Sequence, residues 1–259
     1  MTIAVGILAS DGVVLAADTQ ETSGYFKGHG LKIDSAMTQT AIHSTLRSAV
    51  GVTGAGPGVY LDAVSHEIIQ RFHQHQDTTL AAFEGHLKES LGEFYAMHVT
   101  PLQPYIDRQF ELIVGAQIEN HHALWVTEAT AVKPSPGFEA VGSGHPFARM
   151  AIQRRTVHVN VQGAATLAIM GAMQAREYDQ DCGKSTTVTI LKDNRTHTVD
   201  WYLIEEAEKL FDKYAGIDHS AFLYAIGIES LDEGKRTRRL TQGLRSLRKD
   251  FLRLASQFP

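Results

Sequence analysis

The amino-acid sequence predicts an α+β fold in which two β-sheets lie between layers of helices. The predicted elements follow the order strands, two helices, strands, two helices, strands, which is typical of packed sheets covered by helices. Of the 259 residues, 43% are apolar and 20% are charged, so the chain can bury a large core. We predict a single domain over residues 1–259, in which residues 235–259 form an extra C-terminal helical segment.

The first two strands are predicted at residues 3–8 and 13–17. Both segments are apolar at nearly every position, which indicates burial on two faces. Asp11-Gly12 lies between them and is a strong signal for a tight hairpin turn. Another apolar strand, at residues 49–52, runs into the glycine cluster at residues 54–58, which is typical of a corner between a strand and a helix.

The remaining elements follow from the spacing of apolar residues. Apolar side chains three or four residues apart predict helices over residues 61–72 and 83–94, with an N-cap supplied by Asp77-Thr78-Thr79. Strands are predicted at residues 110–116, 123–127, 186–191 and 199–202, and a loop around Pro134 and Pro136. Further helices are predicted from about Pro146, over residues 164–178 and over residues 204–214.

Charge is unevenly distributed along the chain. The formal net charge is −5, yet residues 235–259 carry eight Lys or Arg and one Asp. The acidic remainder argues against a nucleic-acid-binding protein. Apolar residues three or four positions apart make the basic tail an amphipathic helix (Leu240, Leu244, Leu247, Phe251, Leu254 and Phe258). We expect this helix to dock on its own chain or on a sister subunit, with another partner or a membrane surface as alternatives.

Several classes of protein are excluded by the sequence. Cys182 is the single cysteine, so neither an intrachain disulfide nor a multi-cysteine zinc site can form. No apolar run is long enough to cross a bilayer, and the first residues lack the pattern of a secretory signal. We therefore expect a cytoplasmic protein with no membrane association.

No cofactor or metal is predicted. Gly183-Lys184-Ser185-Thr186 resembles the end of a phosphate-binding loop, but Tyr178 stands where the first glycine is required, and a strand follows instead of a helix. Pro57 interrupts the dinucleotide-like glycine cluster, whose backbone N–H groups suit an oxyanion better. The paired histidines lack carboxylate partners, so we expect them to be solvated surface groups.

The N-terminus carries the main chemical signal. Thr2 follows Met1, and a small second residue favours removal of the initiator methionine. The freed residue would combine a hydroxyl nucleophile with an α-amine, whose pKa near 7.7–8.0 suits a general base at neutral pH. A neighbouring lysine would lower the pKa of that amine, and an aspartate would hold the lysine in place.

Together, several segments resemble proteasome β-type subunits, a family that includes bacterial ring peptidases of the HslV kind and the Anbu-type homologues. The resemblance covers about residues 2–191 and rests on the opening motif, the glycine cluster and two later motifs. These are Met1 to Gly6, Asp11 to Thr19, Lys32-Ile33, Gly54-Ala55-Gly56, Val141-Gly142-Ser143-Gly144 and Tyr178 to Gly183. It implies a four-layer αββα sandwich of the N-terminal nucleophile hydrolase type.

The resemblance also assigns roles to individual residues. It implies that Thr2 is the nucleophile and base, that Asp18 pairs with Lys32, and that Lys32 tunes the Thr2 amine. The Gly56 N–H would face the oxyanion, and Ser143 and Asp179 would orient the amine. Glu21, Gly54 and Gly58 are the predicted substrate-binding residues. The family often has Ser-Gly where Cys182-Gly183 stands, and a thiol is a weaker hydrogen-bonding group.

The predicted function is a threonine peptidase that cleaves peptides or unfolded proteins through an acyl-enzyme. The resemblance implies a homo-oligomeric ring or helical assembly and names an ATP-dependent unfoldase as a candidate partner. Two alternatives remain open at this point. One is a catalytically silent scaffold subunit of the same fold, and the other is a stand-alone amidase that acts on small molecules.

Overall fold

The computed structural model describes residues 2–23, 26–38, 48–75, 79–102, 110–153, 159–183, 185–225 and 233–259. The chain divides into two compact units, Met1–Val199 and Asp200–Pro259. The first unit carries the predicted site residues and contains the sheets. The prediction of one domain over the whole chain stays a prediction.

The first sheet has five antiparallel strands in the order β10-β1-β2-β11-β12. Its strands are β1 (Ala4–Ala9), β2 (Gly12–Asp18), β10 (Phe138–Val141), β11 (Thr186–Lys192) and β12 (Arg195–Thr198). The predicted hairpin at Asp11-Gly12 is confirmed, with Ala9 opposite Gly12 and Ala4 opposite Ala17. Every residue of β2 is buried, as its unbroken apolar run predicts.

The second sheet also has five antiparallel strands, in the order β5-β6-β7-β8-β9. Its strands are β5 (Ile33–Thr38), β6 (Ser48–Ala55), β7 (Glu111–Ile118), β8 (His121–Glu128) and β9 (Ala131–Ser135). A separate two-stranded hairpin, β3 (Gln20–Ser23) with β4 (Phe26–His29), follows directly after β2.

Four helices of the first unit are α1 (Gly58–His75), α2 (Leu80–Phe94), α3 (His145–Ile152) and α4 (Val161–Tyr178). Helices α1 and α2 bury Phe72, Phe83 and Leu91 in one core cluster with β6, β7 and Trp125 of β8. The Trp125 indole N–H donates to Glu84 of α2 at 3.0 Å, which ties the helix to the second sheet. Helix α4 packs against α3 and against β1, β2 and β11 of the first sheet.

Side chains of the two sheets meet in a second core cluster, which includes Val13, Leu15 and Leu191 from the first sheet and Ala49 and Ile113 from the second. Glycine makes room for these contacts. A methyl group on Gly115 would lie 2.7 Å from Val13 Cγ1, and one on Gly51 would lie 2.7 Å from Leu15 Cδ1. The observed architecture is therefore a mixed α+β fold with two packed antiparallel sheets.

The second unit contains α5 (Trp201–Ala225) and α6 (Glu233–Ala255), which pack against each other. Phe211 and Phe251 are in aromatic contact across the pair, with ring centroids 5.2 Å apart. Asp250 accepts from Lys213 at 2.8 Å. The amphipathic helix predicted for residues 235–259 is thus observed as α6, followed by a short non-helical end.

Two local predictions are wrong. The strand predicted at residues 199–202 is not observed, because α5 begins at Trp201 and buries Leu203, Ala207 and Leu210 at the three- and four-residue spacing of a helix. The predicted loop at Pro134 belongs to β9. That strand lies at the edge of the second sheet, where a proline with no N–H to donate costs no ladder hydrogen bond.

Candidate active site

Thr2, Asp18 and Lys32 converge in the first unit, as the resemblance implies. The Thr2 hydroxyl donates to Asp18 Oδ1, and the Lys32 ammonium donates to Thr2 Oγ1. Lys32 also forms an ion pair with Asp18, with Nζ 2.8 Å from Oδ1. The chain therefore surrounds one threonine hydroxyl with a carboxylate and an ammonium group.

The Asp18 carboxylate is fully buried at the end of β2. Besides Thr2 and Lys32, it accepts three backbone hydrogen bonds. The Ile3 N–H donates to Oδ1 at 3.0 Å, while the Gln20 and Gly183 N–H groups donate to Oδ2 at 3.3 and 3.1 Å. These donors satisfy the hydrogen-bonding capacity of the buried carboxylate, which lies where it can compensate the charge of Lys32.

Lys32 is held by the second sheet. It directly precedes β5, and Thr53 of β6 donates its hydroxyl to the Lys32 carbonyl at 2.8 Å. The lysine side chain is 10% exposed, so its charge is shielded from solvent. Asp18, at the end of a strand of the first sheet, and Lys32, just before a strand of the second, thus meet at Thr2, which is only 4% exposed.

The motif around Ser143 contacts the backbone of Thr2. Gly144 donates its N–H to the Thr2 carbonyl at 3.4 Å. Gly142 has a φ of +97°, and a Cβ there would overlap the Thr2 carbonyl and lie 3.0 Å from the Ala55 Cβ. Only glycine suits this position, because both the backbone conformation and the close approach exclude a side chain.

Asp179 follows α4 and begins a tight turn over residues 179–183, hereafter the Asp179 turn. Burial alone would raise the pKa of Asp179, but donors from Ser143, the Asp181 backbone and Cys182 lower that pKa below its usual value. The Asp181 N–H donates to Asp179 Oδ1 at 2.9 Å, and the Cys182 thiol donates to Oδ2 at 3.4 Å. These hydrogen bonds therefore hold the Asp179 carboxylate in one position.

Cys182 is buried within the Asp179 turn. Desolvation, together with the negative charges of Asp18 and Asp179, raises the pKa of the Cys182 thiol to about 12. Its sulfur lies 4.0 Å from the Ser143 hydroxyl oxygen. The thiol is thus neutral at physiological pH and acts as a weak hydrogen-bond donor, since the thiolate is the reactive form of cysteine.

Gly56 lies between β6 and α1, exposed to solvent at a φ of +147°. The neighbouring Ala55 and the Thr2 carbonyl both lie against Gly142. The end of β6 therefore borders Thr2. A Cβ on Gly54 would overlap the Glu111 carbonyl oxygen and crowd Leu112 and Leu61, whereas one on Gly58 would meet no atom within 4 Å. The Glu21 side chain lies outside the described part of the structure. The substrate-binding roles of these residues stay predictions.

Sequence reasoning missed several groups that hold the site together. The backbone N–H groups of Ile3, Gln20 and Gly183 serve Asp18, and Gly142 and Gly144 contact Thr2. Backbone N–H donors cannot be recognised from the sequence, because every residue type except proline carries one. The Gly-Ser-Gly motif was a usable signal, because two glycines around a serine indicate close backbone approach.

Within the described residues, no group of three or more His, Cys, Asp or Glu side chains is placed to hold a metal ion. In the same part of the chain, none of the helices combines the length and the apolar character needed to cross a membrane.

The described fold has two packed antiparallel sheets, and Thr2 lies just before β1, beside the ion pair of Asp18 and Lys32. Solved structures share this fold. The chain matches the Anbu complex of Pseudomonas aeruginosa, solved as a helical assembly, with a TM-score of 0.68 at 15% identity, covering 90% of this chain and 99% of that chain. It matches Anbu (ancestral beta-subunit) from Yersinia bercovieri with a TM-score of 0.65 at 14% identity, over 89% and 99% of the two chains.

The chain is also similar in sequence to proteins named proteasome subunit beta 1. The one from Pyrobaculum aerophilum is 27% identical over 199 residues, covering 74% of this chain and 90% of the relative. The one from Pyrobaculum calidifontis is 28% identical over 201 residues, covering 74% and 91%. No family model matches the chain. The resemblance to proteasome β-type and Anbu-like proteins is thereby confirmed, and it supports a place among the N-terminal nucleophile hydrolases.

Proposed function

We propose that this protein is an N-terminal threonine peptidase that hydrolyses peptide bonds through an acyl-enzyme. The observation that carries the proposal is the contact of the Thr2 hydroxyl with both Asp18 and Lys32. The proposal requires removal of Met1, because the Thr2 nitrogen is an amide, and not a base, while it is bonded to Met1.

In the first half of the reaction, Thr2 Oγ1 bonds to the scissile carbonyl carbon and its proton passes to the Thr2 α-amine. The Gly56 N–H stabilises the resulting oxyanion. When the C–N bond breaks, the leaving amine takes the proton from the α-amine, and an ester remains on Thr2. In the second half, water gives a proton to the α-amine and bonds to the ester carbonyl carbon. The bond from that carbon to Oγ1 then breaks, the α-ammonium returns the proton to Oγ1, and the acid is released.

The charges around Thr2 support this sequence of steps. The Lys32 ammonium beside Oγ1 favours the neutral form of a nearby amine and stabilises developing negative charge on the oxygen. Asp18 is buried and compensates the charge of Lys32 through their ion pair. Ser143 precedes Gly144, whose N–H donates to the Thr2 carbonyl, and Cys182 links Ser143 to Asp179. These contacts support a role for Ser143 and Asp179 in orienting the amine.

The proposal includes the αββα layer order and a homo-oligomeric assembly. Helices α1 and α2 pack on the second sheet, helix α4 packs on the first sheet, and the sheets contact each other, which supports four layers. The helical assembly of the Pseudomonas aeruginosa Anbu complex supports self-association of this chain. Peptide or unfolded-protein substrates, an unfoldase partner and a cytoplasmic location belong to the same proposal.

The test compares Thr2→Ala with Thr2→Ser, since both residues are small enough to allow Met1 removal. Cleavage of fluorogenic peptides with Arg, Leu or Glu ends is expected to disappear in Thr2→Ala and to persist at a lower rate in Thr2→Ser. Intact-mass spectrometry should show loss of Met1 and, with an acylating inhibitor, one adduct on Thr2. Full activity in Thr2→Ala would refute the proposal, and retained Met1 in a pure, folded sample would favour a silent scaffold.

A further inference from the structure

Gln20 joins the strand that ends in Asp18 to the Asp179 turn. It is buried, with 5% of its surface exposed. Its side-chain Nε2 donates to the Asp181 carbonyl at 3.1 Å, while its backbone N–H donates to Asp18 Oδ2 at 3.3 Å. One residue therefore contacts the carboxylate that pairs with Lys32 and the turn that carries Asp179.

Gly183, at the end of the Asp179 turn, also contacts Asp18. Its N–H donates to Asp18 Oδ2 at 3.1 Å, on the oxygen that Gln20 also contacts. A Cβ on Gly183 would overlap the Gln20 side-chain oxygen. The amide of Gln20 thus occupies the space that a side chain at position 183 would need.

A second set of contacts joins Thr19, which precedes Gln20, to Ser185, which follows the Asp179 turn. Their hydroxyl oxygens are 2.9 Å apart, and the Thr19 N–H donates to the Ser185 carbonyl at 2.9 Å. These bonds fix the chain just beyond the Asp179 turn. The Gln20 amide is the contact that reaches into the turn itself, at Asp181.

We propose that Gln20 is a positioning residue for the reaction at Thr2, because it holds the Asp179 turn against Asp18. This inference rests on the proposed peptidase function. Gln20 acts through the Asp181 carbonyl, and so through the geometry of Asp179 and Cys182, which hydrogen-bond to each other. A displaced turn would move the carboxylate that orients the Thr2 amine and would withdraw the Gly183 donor from Asp18.

The matched control is Gln117, another buried glutamine with 6% of its surface exposed. Its side-chain oxygen accepts a hydrogen bond from the Asn194 N–H at 3.1 Å. It lies six residues along β7 from Glu111, which pairs with Ala55 beside the site. At about 3.4 Å per residue, this places Gln117 roughly 20 Å from the end of β6 that borders Thr2.

The experiment measures kcat, KM and stability for Gln20→Ala, the isosteric Gln20→Met and the control Gln117→Ala. We expect both Gln20 variants to lose about tenfold in kcat, equivalent to one net hydrogen bond, with KM unchanged. Gln117→Ala should lose a similar amount of stability yet keep the wild-type kcat. The acidic limb of the kcat profile should move to higher pH in the Gln20 variants, because Asp179 loses donors that lower its pKa.

The single cysteine gives a second readout that needs no activity. Cys182 is buried in the Asp179 turn, so alkylation of the native protein should be slow, and Gln20→Ala should accelerate it at least several-fold. Mass spectrometry of the intact chain counts the adducts. Gln117→Ala should be alkylated as slowly as the wild type.

A double-mutant cycle with Gly183→Ala isolates the contact. Gly183→Ala alone should lower kcat, because the added methyl displaces the Gln20 amide. Combined with Gln20→Ala, it should cause no further loss, since the space is then free. Full additivity would overturn the inference.

Two results separate failure of this inference from failure of the proposed function. If the wild type cleaves peptides, Thr2→Ala does not, and the Gln20 variants match the wild type in kcat, pH profile and alkylation rate, then Gln20 is not a positioning residue. If Thr2→Ala matches the wild type, the peptidase assignment fails. The alkylation experiment would still report whether Gln20 holds the turn.

Discussion

Asp18 is the residue on which the local geometry of the candidate site depends. In the described residues its two carboxylate oxygens accept from one hydroxyl, one ammonium and three backbone N–H groups. An amide in place of the carboxylate would turn one acceptor into a donor that faces other donors. It would also leave the shielded Lys32 without a counter-charge.

We predict that Asp18→Asn abolishes peptide cleavage and lowers the free energy of unfolding by about 3–5 kcal/mol, the usual cost of removing one partner of a buried ion pair. Urea unfolding and fluorogenic peptide assays measure the two effects. The control is Asp250→Asn, which removes a solvent-exposed ion pair with Lys213 in the second unit. It should change neither quantity detectably, and an Asp18→Asn variant as stable and active as this control would contradict the prediction.

Asp179 gives a pH dependence with a definite sign. The pKa of Asp179 is lowered in the folded protein below its ordinary value, so the ionised form stabilises the fold at pH values above that ordinary value. This contribution is lost as the pH falls through the lowered folded pKa.

The stability difference between the wild type and Asp179→Asn should therefore be constant from pH 7 to about pH 5 and shrink below about pH 4. Urea unfolding at several pH values measures this difference. A difference that grows on acidification would show that the pKa of Asp179 is raised, not lowered.

At the scale of elements, glycine within strands decides how closely the sheets approach. Gly115 in β7 faces Val13 of β2 and Leu191 of β11 across the interface between the sheets. Gly85 in α2 is a useful contrast, because a methyl group there would have no neighbour within 4 Å.

We predict that Gly115→Ala destabilises the protein by about 1–3 kcal/mol through overpacking between the sheets. Gly85→Ala should instead stabilise it by up to about 1 kcal/mol, because alanine is the better helix former. Thermal and urea unfolding of the two variants, made in parallel, test this contrast. Equal effects at both positions would show that the sheets are not tightly packed at Gly115.

At the scale of the whole molecule, charge is segregated. The basic residues of α6 include the exposed Arg245 and Arg248, whereas the rest of the chain is acidic. In a homo-oligomer, such segregation favours contact between the basic helix of one copy and an acidic surface of another.

We predict a mass in solution that is several times that of one chain and that falls as salt is added, since salt screens charge pairs. Sedimentation velocity measures this mass. Arg248→Glu should weaken the assembly more than Lys133→Glu, a charge change of equal size at an exposed position on β9. A monomer at low salt would favour the stand-alone amidase.

Much of the fold was predictable because local sequence patterns specify many of its helices and strands. The unbroken apolar runs of β1 and β2 and the Asp11-Gly12 turn specified a buried hairpin. The three- and four-residue spacing specified α1, α2 and α6. The start of α5 was harder, because Val199 ends a strand-like segment while Trp201 and Tyr202 already belong to a helix, and short apolar runs suit both structures.

Local sequence supplied the residue types of the site: a threonine behind the initiator methionine, an aspartate at the end of a buried strand, a lysine before another strand, and glycines where the backbone must approach closely. The contact of both Asp18, at the end of β2, and Lys32, just before β5, with the Thr2 hydroxyl emerges from the packing of the two sheets. The tertiary structure also decided that Gln20 reaches the Asp179 turn. Contacts between segments distant in sequence depend on how strands pair and sheets pack, which no local pattern specifies. Backbone donors are the same in every residue type except proline, so residue type does not reveal them either.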